Sequence, residues 1–494
     1  MYLGIDLGTS EVKVVLLNEH HEVLGTQHAP LAVSRPQPGW SEQDPQHWWD
    51  ATCQAMQALR AAHGRPLAAV RAVGLSGQMH GAVLLDAQHQ VLRPAILWND
   101  TRAAAQCVQM TERMPSLPQV AGNLAMPGFT APKLAWLQAH EPDVFARVSR
   151  VLLPKDYLRW RMSGRFVSEM SDAAGTLWLD VARRDWSDDL LALTGLTRAH
   201  MPALVEGSAV SATLSADVAQ AWGLGAQVII AGGGGDNAAS AVGIGAVRAG
   251  DGFLSLGTSG VLFVVTDRFR PNPASAVHAF CHALPARWHQ MSVMLSAASC
   301  LRWAARLVGA KDEAALLAQV QDKGSDAGWA ARVPLFLPYL SGERTPHNDA
   351  DARGVFFGLD HDTDAAALAH SVLEGVAFGM RDGLEALRAA GTEVRRLALV
   401  GGGARSAYWA QLHADVLGLP IVTLSGGEAG AALGAARLAW LADGGDEAQV
   451  CRVPPVLRSY EPDAARQDML QRRHQRFRAL YQALRPGFAA AQAG

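Results

Sequence analysis

The chain has 494 residues, of which 49% are hydrophobic and 18% are charged, and its formal net charge is −3. This balance is typical of a globular protein of roughly two to four domains, and it excludes a general nucleic-acid binder, which would be strongly basic. The five cysteines are scattered without a CxxC pair, and no signal peptide or membrane-spanning stretch is recognisable, so we expect a cytoplasmic protein.

The first predicted elements are a strand, a glycine turn and a second strand, in the stretch IDLGTSEVKVVLL. Asp6 precedes the turn, Gly8, Thr9 and Ser10 form it, and Lys13 follows it. Glycine lets an anion approach the backbone, and the hydroxyls and N–H groups can donate to phosphate oxygens. A carboxylate beside such a turn indicates Mg²⁺ between the two, held through water. The alternative is that Asp6 only satisfies polar groups of the turn.

Two helices are predicted from their ends or their charge pattern. One begins at Pro45 with Asp44 as its N-cap, and Gly64 is expected to close it. The other lies near the end of the chain, where we interpret the basic stretch QRRHQRFR as the solvated face of a terminal helix.

Two further motifs of the first half carry polar or aromatic side chains after predicted strands. The motif SGQMHG contains His80, and the motif LWND offers Trp98 as an apolar wall. The stretch between them, GAVLLDAQHQVLRPAILW, predicts a hairpin. A lone histidine is often structural, so a structural role for His80 stays open.

The stretch VIIAGGGGDNAAS predicts a buried strand, a glycine loop and a helix. Asp236 and Asn237 follow the glycines directly, at the strand end where ligands bind in open α/β sheets. A carboxylate there can accept a proton from a substrate hydroxyl, and the amide can hold a second hydroxyl. Asp236 could also serve as the N-cap of the helix.

The second half repeats the pattern of the first. The stretch LSLGTSGVLFVVT places Gly257 and Thr258 in a second turn, 249 residues after Gly8. Later, GGGARSAYW follows a strand and opens a helix, an arrangement that can admit the phosphates or ribose of a nucleotide. Alternating strands and helices predict an α/β protein of two related domains, residues 1–246 and 247–494. The alternative is that two common Gly-Thr turns coincide.

Together these motifs resemble those of the FGGY family of carbohydrate kinases, in the sugar kinase, actin and hexokinase superfamily. The resemblance covers essentially the whole chain and also includes WSEQDP, GFTAPKLAWLQ, LLPKDYLR, SDAAGT, HALP, MSVMLSAASCL, PYLSGERTPHN and GVFFGL. It implies two ribonuclease H-like domains around a central cleft that clamp ATP. It also implies phosphorylation of D-xylulose to D-xylulose 5-phosphate with ATP and Mg²⁺.

The resemblance implies roles for single residues as well. Asp236 would be the general base, and Asp6 would lie beside Mg²⁺. The expected pentulose contacts are Met79, His80, Trp98, Asp236 and Asn237, and the expected ATP contacts are Gly8, Thr9, Ser10, Lys13, Gly257, Thr258, Gly402, Gly403 and Ser406.

The expected partners are therefore D-xylulose and ATP, with no nucleic acid and no membrane, and a homodimer is a possible assembly. Two alternatives stay open for the function. One is a kinase for another pentulose or polyol such as ribulose. The other is an actin-like ATP switch without a small acceptor.

Overall fold

The computed structural model describes residues 1–323, 326–426 and 430–492, and its two largest sheets lie one in each half of the sequence. The strands of the first half are β1 (Tyr2–Leu7), β2 (Glu11–Leu17), β3 (Val23–Pro30), β4 (Glu42–Gln43), β5 (Ala72–Gly77), β6 (Val83–Leu85), β7 (Ala95–Ile96), β8 (Arg150–Leu152), β9 (Val167–Glu169), β10 (Leu179–Asp180), β11 (Asp185–Trp186), β12 (Ala203–Val205), β13 (Val210–Thr213), β14 (Ile229–Ala231) and β15 (Gly234–Gly235). Its α-helices are α1 (Pro45–Leu67), α2 (Ala104–Arg113), α3 (Leu117–Ala121), α4 (Thr130–His140), α5 (Pro142–Phe145), α6 (Pro154–Ser163), α7 (Met170–Ala173), α8 (Asp188–Ala192), α9 (Ala216–Trp222) and α10 (Asp236–Gly243).

The second half continues this alternation of strands and helices. Its strands are β16 (Asp251–Leu256), β17 (Gly260–Thr266), β18 (His278–Cys281), β19 (Trp288–Met294), β20 (Leu335–Leu337), β21 (Val355–Phe357), β22 (Arg396–Val400), β23 (Ile421–Leu424) and β24 (Val456–Tyr460). Its α-helices are α11 (Ala298–Leu307), α12 (Glu313–Lys323), α13 (Ala327–Ala330), α14 (Ala365–Ala389), α15 (Ala407–Leu417), α16 (Gly430–Ala442), α17 (Glu447–Val450) and α18 (Ala464–Gln492). Within the described residues, no helix is both long and apolar enough to span a membrane.

The two large sheets share one strand order and one set of strand directions. In the first, the order is β3-β2-β1-β5-β14-β13, and along it only the β1–β5 and β5–β14 neighbours are parallel; β15, beyond β14, also pairs parallel to β5. In the second, the order β19-β17-β16-β22-β23-β24 shows the same directions, with β18 added at the edge. The two GTS turns are therefore equivalent hairpins, β1–β2 and β16–β17. The predicted two-domain α/β architecture is confirmed.

Helix α16 belongs to the second half of the sequence but packs on the first sheet and on α10. Glycines make this close approach possible. A Cβ atom on Gly4 of β1 would lie 1.9 Å from the carbonyl oxygen of Ala432, and one on Gly434 would lie 1.7 Å from the carbonyl oxygen of Ala239. Helix α16 is therefore in backbone contact with both β1 and α10.

The start of helix α1 is confirmed, and its regular part ends beside the predicted Gly64. The Asp44 carboxylate accepts a hydrogen bond from the backbone N–H of Gln46, as an N-cap does. At His63 the backbone is non-helical and forms a kink. Beyond the kink a short helical stretch continues to Leu67, whose buried side chain belongs to the core of the first half.

The predicted hairpin in the stretch of residues 81–98 is confirmed. Leu85 and Val91 form an antiparallel bridge, as do Ala82 and Ile96, and the backbone N–H of Leu92 donates to the carbonyl oxygen of Leu84. Its arms also pair with other strands, β6 with β8 and β7 with β4, and the alternation of apolar residues carried no information on these partners.

The basic stretch of α18 is only in part a solvated face. The Arg473 guanidinium is buried and donates to both carboxylate oxygens of Glu374, and His474 Nε2 lies 2.8 Å from Asp382 Oδ1. Arg473 and His474 fasten the terminal helix to α14, because each meets a carboxylate there.

Candidate active site

The two predicted catalytic carboxylates lie on either side of one strand end. Asp6 of β1 and Gly234 of β15 both pair in register with Ser76 of β5, from opposite sides. Asp236 follows Gly234 by two residues and is the first residue of α10. Two strand spacings separate the backbones of Asp6 and Gly234, which is roughly 10 Å. The structure thus brings both carboxylates to the carboxyl end of β5.

Asp6 has the features of a carboxylate that awaits a cation. Its Oδ1 is inaccessible and has no hydrogen-bond partner among the described residues. Burial first, and then the charge of nearby Asp236, raise the pKa of Asp6 to about 6, whereas the side chain of Ser76 and the charge of Lys13 act in the opposite direction. Lys13 is the register partner of Asp6 on β2. A divalent cation beside Asp6 would stabilise the charged form that burial disfavours.

One carboxylate is enough for a magnesium ion that arrives with phosphates. The described part of the chain holds no group of three or more His, Cys, Asp or Glu residues that could form a closed metal site. Mg²⁺ usually keeps several waters and binds through one or two carboxylates together with substrate phosphates. Asp6 and its unpaired oxygen fit this type of site.

Asp236 is held by its neighbour and keeps one oxygen open. Its Oδ1 accepts hydrogen bonds from the backbone N–H of Asn237 at 2.7 Å and from the side-chain amide at 3.0 Å. Burial raises the pKa of Asp236, and these two hydrogen bonds lower it. The described residues provide no donor to Oδ2. The residue that occupies the N-cap position is Gly235, so the N-cap alternative for Asp236 is wrong.

The first GTS hairpin and the predicted sugar wall are in direct contact. Trp98 Nε1 donates to Thr9 Oγ1 at 3.0 Å, and Thr9 Oγ1 donates to Gln78 Oε1 at 3.0 Å. Trp98 is 48% exposed, so part of its surface is available to a ligand. Gly8 closes the turn by donating to the carbonyl oxygen of Glu11, and the Ser10 side chain is exposed beside it.

His80 is fixed on one side and open on the other. Its Nδ1 lies 2.6 Å from the carbonyl oxygen of Gly175, and burial lowers the pKa of His80 to about 3. The ring is therefore neutral at neutral pH. Because a carbonyl only accepts, Nδ1 carries the proton, and Nε2 is left as an acceptor. Met79 lies close by: a Cβ atom on Gly235 would be 2.9 Å from its sulfur. His80 and Met79 therefore lie together beside the loop that carries Asp236.

The backbone of His80 is strained and is held in place. Its φ is +69°, in the left-handed region that side chains other than glycine rarely adopt. Its carbonyl oxygen accepts from the hydroxyl of Thr130 at 3.1 Å and from Lys133 Nζ at 2.8 Å. Strain maintained by two buried donors is typical of functional positions. This observation favours a functional role for His80 over a purely structural one.

The remaining predicted residues form a second cluster at the equivalent place in the second sheet. Gly257 donates to the carbonyl oxygen of Ser259 and closes the hairpin, and the Thr258 side chain is exposed. On the neighbouring strand β22, the chain leaves the sheet into exposed Gly402 and buried Gly403. Both segments lie at the carboxyl ends of adjacent parallel strands, which is where a nucleotide binds in such sheets.

Ser406 has an observed role that is structural. Its hydroxyl accepts from the backbone N–H of Trp409 at 3.2 Å and caps α15, and the residue is 8% exposed. The predicted contact of Ser406 with the nucleoside stays a prediction.

Comparison with models of protein families shows to which family the chain belongs. Residues 1–243 match the N-terminal domain of the FGGY family of carbohydrate kinases, and residues 252–442 match its C-terminal domain. The chain belongs to this FGGY family. It is 55% identical to xylulose kinase of Escherichia coli strain K12 over 490 residues, which are 98% of this chain and 99% of that one.

Solved structures of the family have the same fold as this FGGY kinase. A xyloylose kinase from Brucella ovis superposes with a TM-score of 0.95 at 52% identity, covering 98% of this chain and 99% of that one. A xylulose kinase from Rhodospirillum rubrum gives 0.92 at 29% identity, covering 99% of each chain. The mixed sheets and the two-domain architecture are therefore those of sugar kinases.

Two glutamines of this FGGY kinase belong to the site although sequence reasoning gave them no role. Gln43 donates to the carbonyl oxygen of Thr9 at 2.8 Å and accepts from Gln78 at 3.0 Å and from Trp48 at 2.9 Å. Gln78 in turn accepts from the Thr9 hydroxyl. The two glutamines lie inside the motifs WSEQDP and SGQMHG. The sequence feature that could have identified them is therefore the whole motif and not the single residue.

Proposed function

We propose that this FGGY kinase transfers the terminal phosphoryl group of ATP to D-xylulose, giving D-xylulose 5-phosphate. The open oxygen of Asp236, on the loop that lies beside Met79 and His80, supports transfer to a sugar hydroxyl. Half-exposed Trp98 lies against Thr9 of the neighbouring hairpin. The substrate is supported by full-length relatives that are xylulose kinases at 55% and 53% identity.

The proposed reaction uses positioning, charge neutralisation and one base. Asp236 Oδ2 takes the proton of the sugar hydroxyl. The hydroxyl oxygen attacks the terminal phosphorus of ATP, and the bond between that phosphorus and the ADP oxygen breaks. His80 Nε2 accepts a hydrogen bond from a second hydroxyl, and Trp98 packs against the sugar. The hairpins at Gly8 and Gly257 bind the phosphates of ATP through their backbone N–H groups.

We infer that Mg²⁺ is the metal and that Asp6 holds it through water. Bound there, Mg²⁺ would neutralise phosphate charge. Asp6→Asn removes that charge while keeping the side-chain shape, so the Mg²⁺ concentration that gives half-maximal kcat should rise roughly tenfold, the cost of one good charge contact. Titrating kcat with Mg²⁺ at saturating sugar measures this. Asp251→Asn, at the far end of the equivalent strand β16, is the matched control and should leave the Mg²⁺ midpoint unchanged. An equal shift in both variants would contradict the role of Asp6.

His80→Ala tests the sugar contact. Loss of a buried hydrogen bond costs about 1–3 kcal/mol, so the KM for D-xylulose should rise about 5- to 150-fold, with the KM for ATP nearly constant. His413→Ala is the control, because that buried ring makes the same type of bond, Nδ1 to the carbonyl oxygen of Trp409 at 2.8 Å, inside α15. Steady-state kinetics in both substrates would show an unchanged sugar KM if His80 were only structural.

A coupled kinase assay across ketopentoses, ketohexoses and glycerol tests the substrate. The highest kcat/KM is expected with D-xylulose. Faster turnover of ribulose would favour the alternative pentulose. ATP hydrolysis that no sugar accelerates would favour an actin-like switch.

We assign sugar binding to residues 1–246 and nucleotide binding to residues 247–494. The separate clusters at β5 and at β16–β22 support this division. Helix α16 is the exception, since it lies in the second part and packs on the first sheet. We place the protein in the cytoplasm, the source of its ATP, in agreement with its five free cysteines. The homodimer stays a prediction.

A further inference from the structure

One short segment contacts both the proposed base and the proposed sugar-binding histidine. It comprises residues 169–176, from the end of β9 through α7 and the 3₁₀ turn that follows it. The hydroxyl of Ser171 accepts from the backbone N–H of Gly235 at 3.0 Å, and Gly235 immediately precedes Asp236. The carbonyl oxygen of Gly175 accepts from the His80 ring at 2.6 Å. The relative position of Asp236 and His80 therefore depends on this segment.

Glu169 fixes the hydroxyl of Ser171. Its carboxylate accepts from Ser171 N at 2.7 Å, from Asp172 N at 2.9 Å and from Ser171 Oγ at 3.0 Å. Because the hydroxyl hydrogen points to Glu169, a lone pair of the same oxygen faces Gly235 N–H. The hydrogen-bond chain from Glu169 to Gly235 thus has one direction.

A fully buried ion cluster anchors the chain of hydrogen bonds. Lys155 Nζ lies 3.3 Å from Glu169 Oε1, 2.9 Å from Asp172 Oδ2 and 3.0 Å from Asp156 Oδ1, with all four side chains inaccessible. One turn along α6, the Arg159 guanidinium donates to the carbonyl oxygens of residues 231 and 232 at 2.6 Å each. The cluster therefore holds the glycine loop from both of its ends.

A gain in folding stability does not explain why four charged side chains are buried here. Desolvation of buried ion pairs generally cancels most of their attraction, and apolar residues of similar volume are often as stabilising. What the cluster provides is a fixed geometry at the loop that presents Asp236. We propose that Ser171 is a positioning residue for Asp236, which it orients through Gly235 under the control of Glu169 and Lys155. The inference rests on the proposed function in taking Asp236 as the base.

Ser171→Ala is the first test, with Ser168→Ala as its matched control. Ser168 lies three residues away on β9, is equally buried, and its hydroxyl has no partner among the described residues. A displaced catalytic group costs up to about 10²-fold, so Ser171→Ala should lower kcat about 10- to 100-fold with little change in the KM for ATP. Ser168→Ala should leave kcat within about twofold of wild type, since it removes no hydrogen bond. Equal kcat values for the two variants would overturn the proposal.

A double-mutant cycle distinguishes positioning from general damage. If Ser171 acts through Asp236, Ser171→Ala should change kcat less than about twofold in an Asp236→Asn background, because effects of residues that act as a unit are not additive. The same loss in both backgrounds would contradict a role through Asp236. Should Ser171→Ala fold poorly, Ser171→Thr keeps the hydroxyl, and its kcat should remain closer to wild type than that of Ser171→Cys.

Hydrogen exchange separates this proposal from the proposed function. Mass spectrometry should show that the amides of residues 232–240 exchange faster in Ser171→Ala than in the wild type. In Ser168→Ala their exchange rate should equal that of the wild type. Both results are expected whichever sugar the enzyme phosphorylates. Unchanged exchange in both would overturn the positioning role. Failure of the wild type to phosphorylate any sugar would overturn the proposed function and leave the exchange result standing.

Discussion

Asp236→Asn should lower kcat about 10²- to 10⁴-fold, the contribution that a positioned base typically makes. The amide keeps the shape of the carboxylate and can still meet Asn237, but it cannot take a proton. Asp236→Asn leaves the proposed nucleotide site and both phosphate hairpins intact, so the KM for ATP should be nearly unchanged. Steady-state kinetics with D-xylulose and ATP give both parameters.

Asp217→Asn provides the control, because Asp217 also lies in the first turn of a helix, α9, but far from the strand ends of the site. Its kcat should equal that of the wild type. Retention by Asp236→Asn of more than about a tenth of the wild-type kcat, against the expected loss of at least 10²-fold, would show that another group is the base.

The same carboxylate predicts the pH dependence of kcat. Burial raises the pKa of Asp236, and a base must be deprotonated to act. As the pH falls through that raised pKa, kcat should fall, at a pH above the range of an exposed aspartate. The residual kcat of Asp236→Asn should lack this acid limb. An acid limb that persists in the variant would assign it to a different group.

Short sequence patterns predicted those parts of the site whose residues are adjacent along the chain. A strand, a glycine turn and a polar residue are adjacent along the chain, so Asp6, Thr9 and Asp236 could be found at strand ends from the sequence alone. The repeat of the GTS turn likewise indicated two equivalent sheets, and the strand orders agree with it. Short-range patterns determine such features because the same few residues form the turn and present the side chain.

Long-range partners could not be predicted in the same way. Gln43, Gln78 and Thr9 are distant in sequence, and nothing in the spacing shows that β1, β4 and β5 bring them within 3 Å of one another. Ser171 lies 64 residues before the amide that it holds. The pairing of β6 with β8 and of β7 with β4 was missed for the same reason, since alternation defines a strand but leaves its distant partners undetermined.

Helix α16 is the clearest case of a contact that only the fold reveals, and it leads to the second large effect. Gly434→Ala should lower the free energy of unfolding by about 3 kcal/mol, the upper end for overpacking, because the new Cβ would lie 1.7 Å from the carbonyl oxygen of Ala239. Rigid backbone cannot yield as a flexible side chain can, so α16 and α10 must move apart. This loss of stability should appear even though Ala is about 1 kcal/mol more favourable than Gly in the interior of a helix.

Gly64→Ala separates this contact from the general effect of replacing glycine in a helix. A Cβ atom on Gly64 of α1 would meet nothing within 4 Å, so this variant should be as stable as the wild type or slightly more stable. The urea midpoint and the melting temperature of both variants measure the difference.

Because α10 begins at Asp236, the displacement in Gly434→Ala should also reduce kcat at temperatures where the protein stays folded, while Gly64→Ala keeps full activity. A Gly434→Ala protein as stable and as active as Gly64→Ala would mean that the two helices can separate freely, and that the backbone contact between α16 and α10 does not hold Asp236 in place.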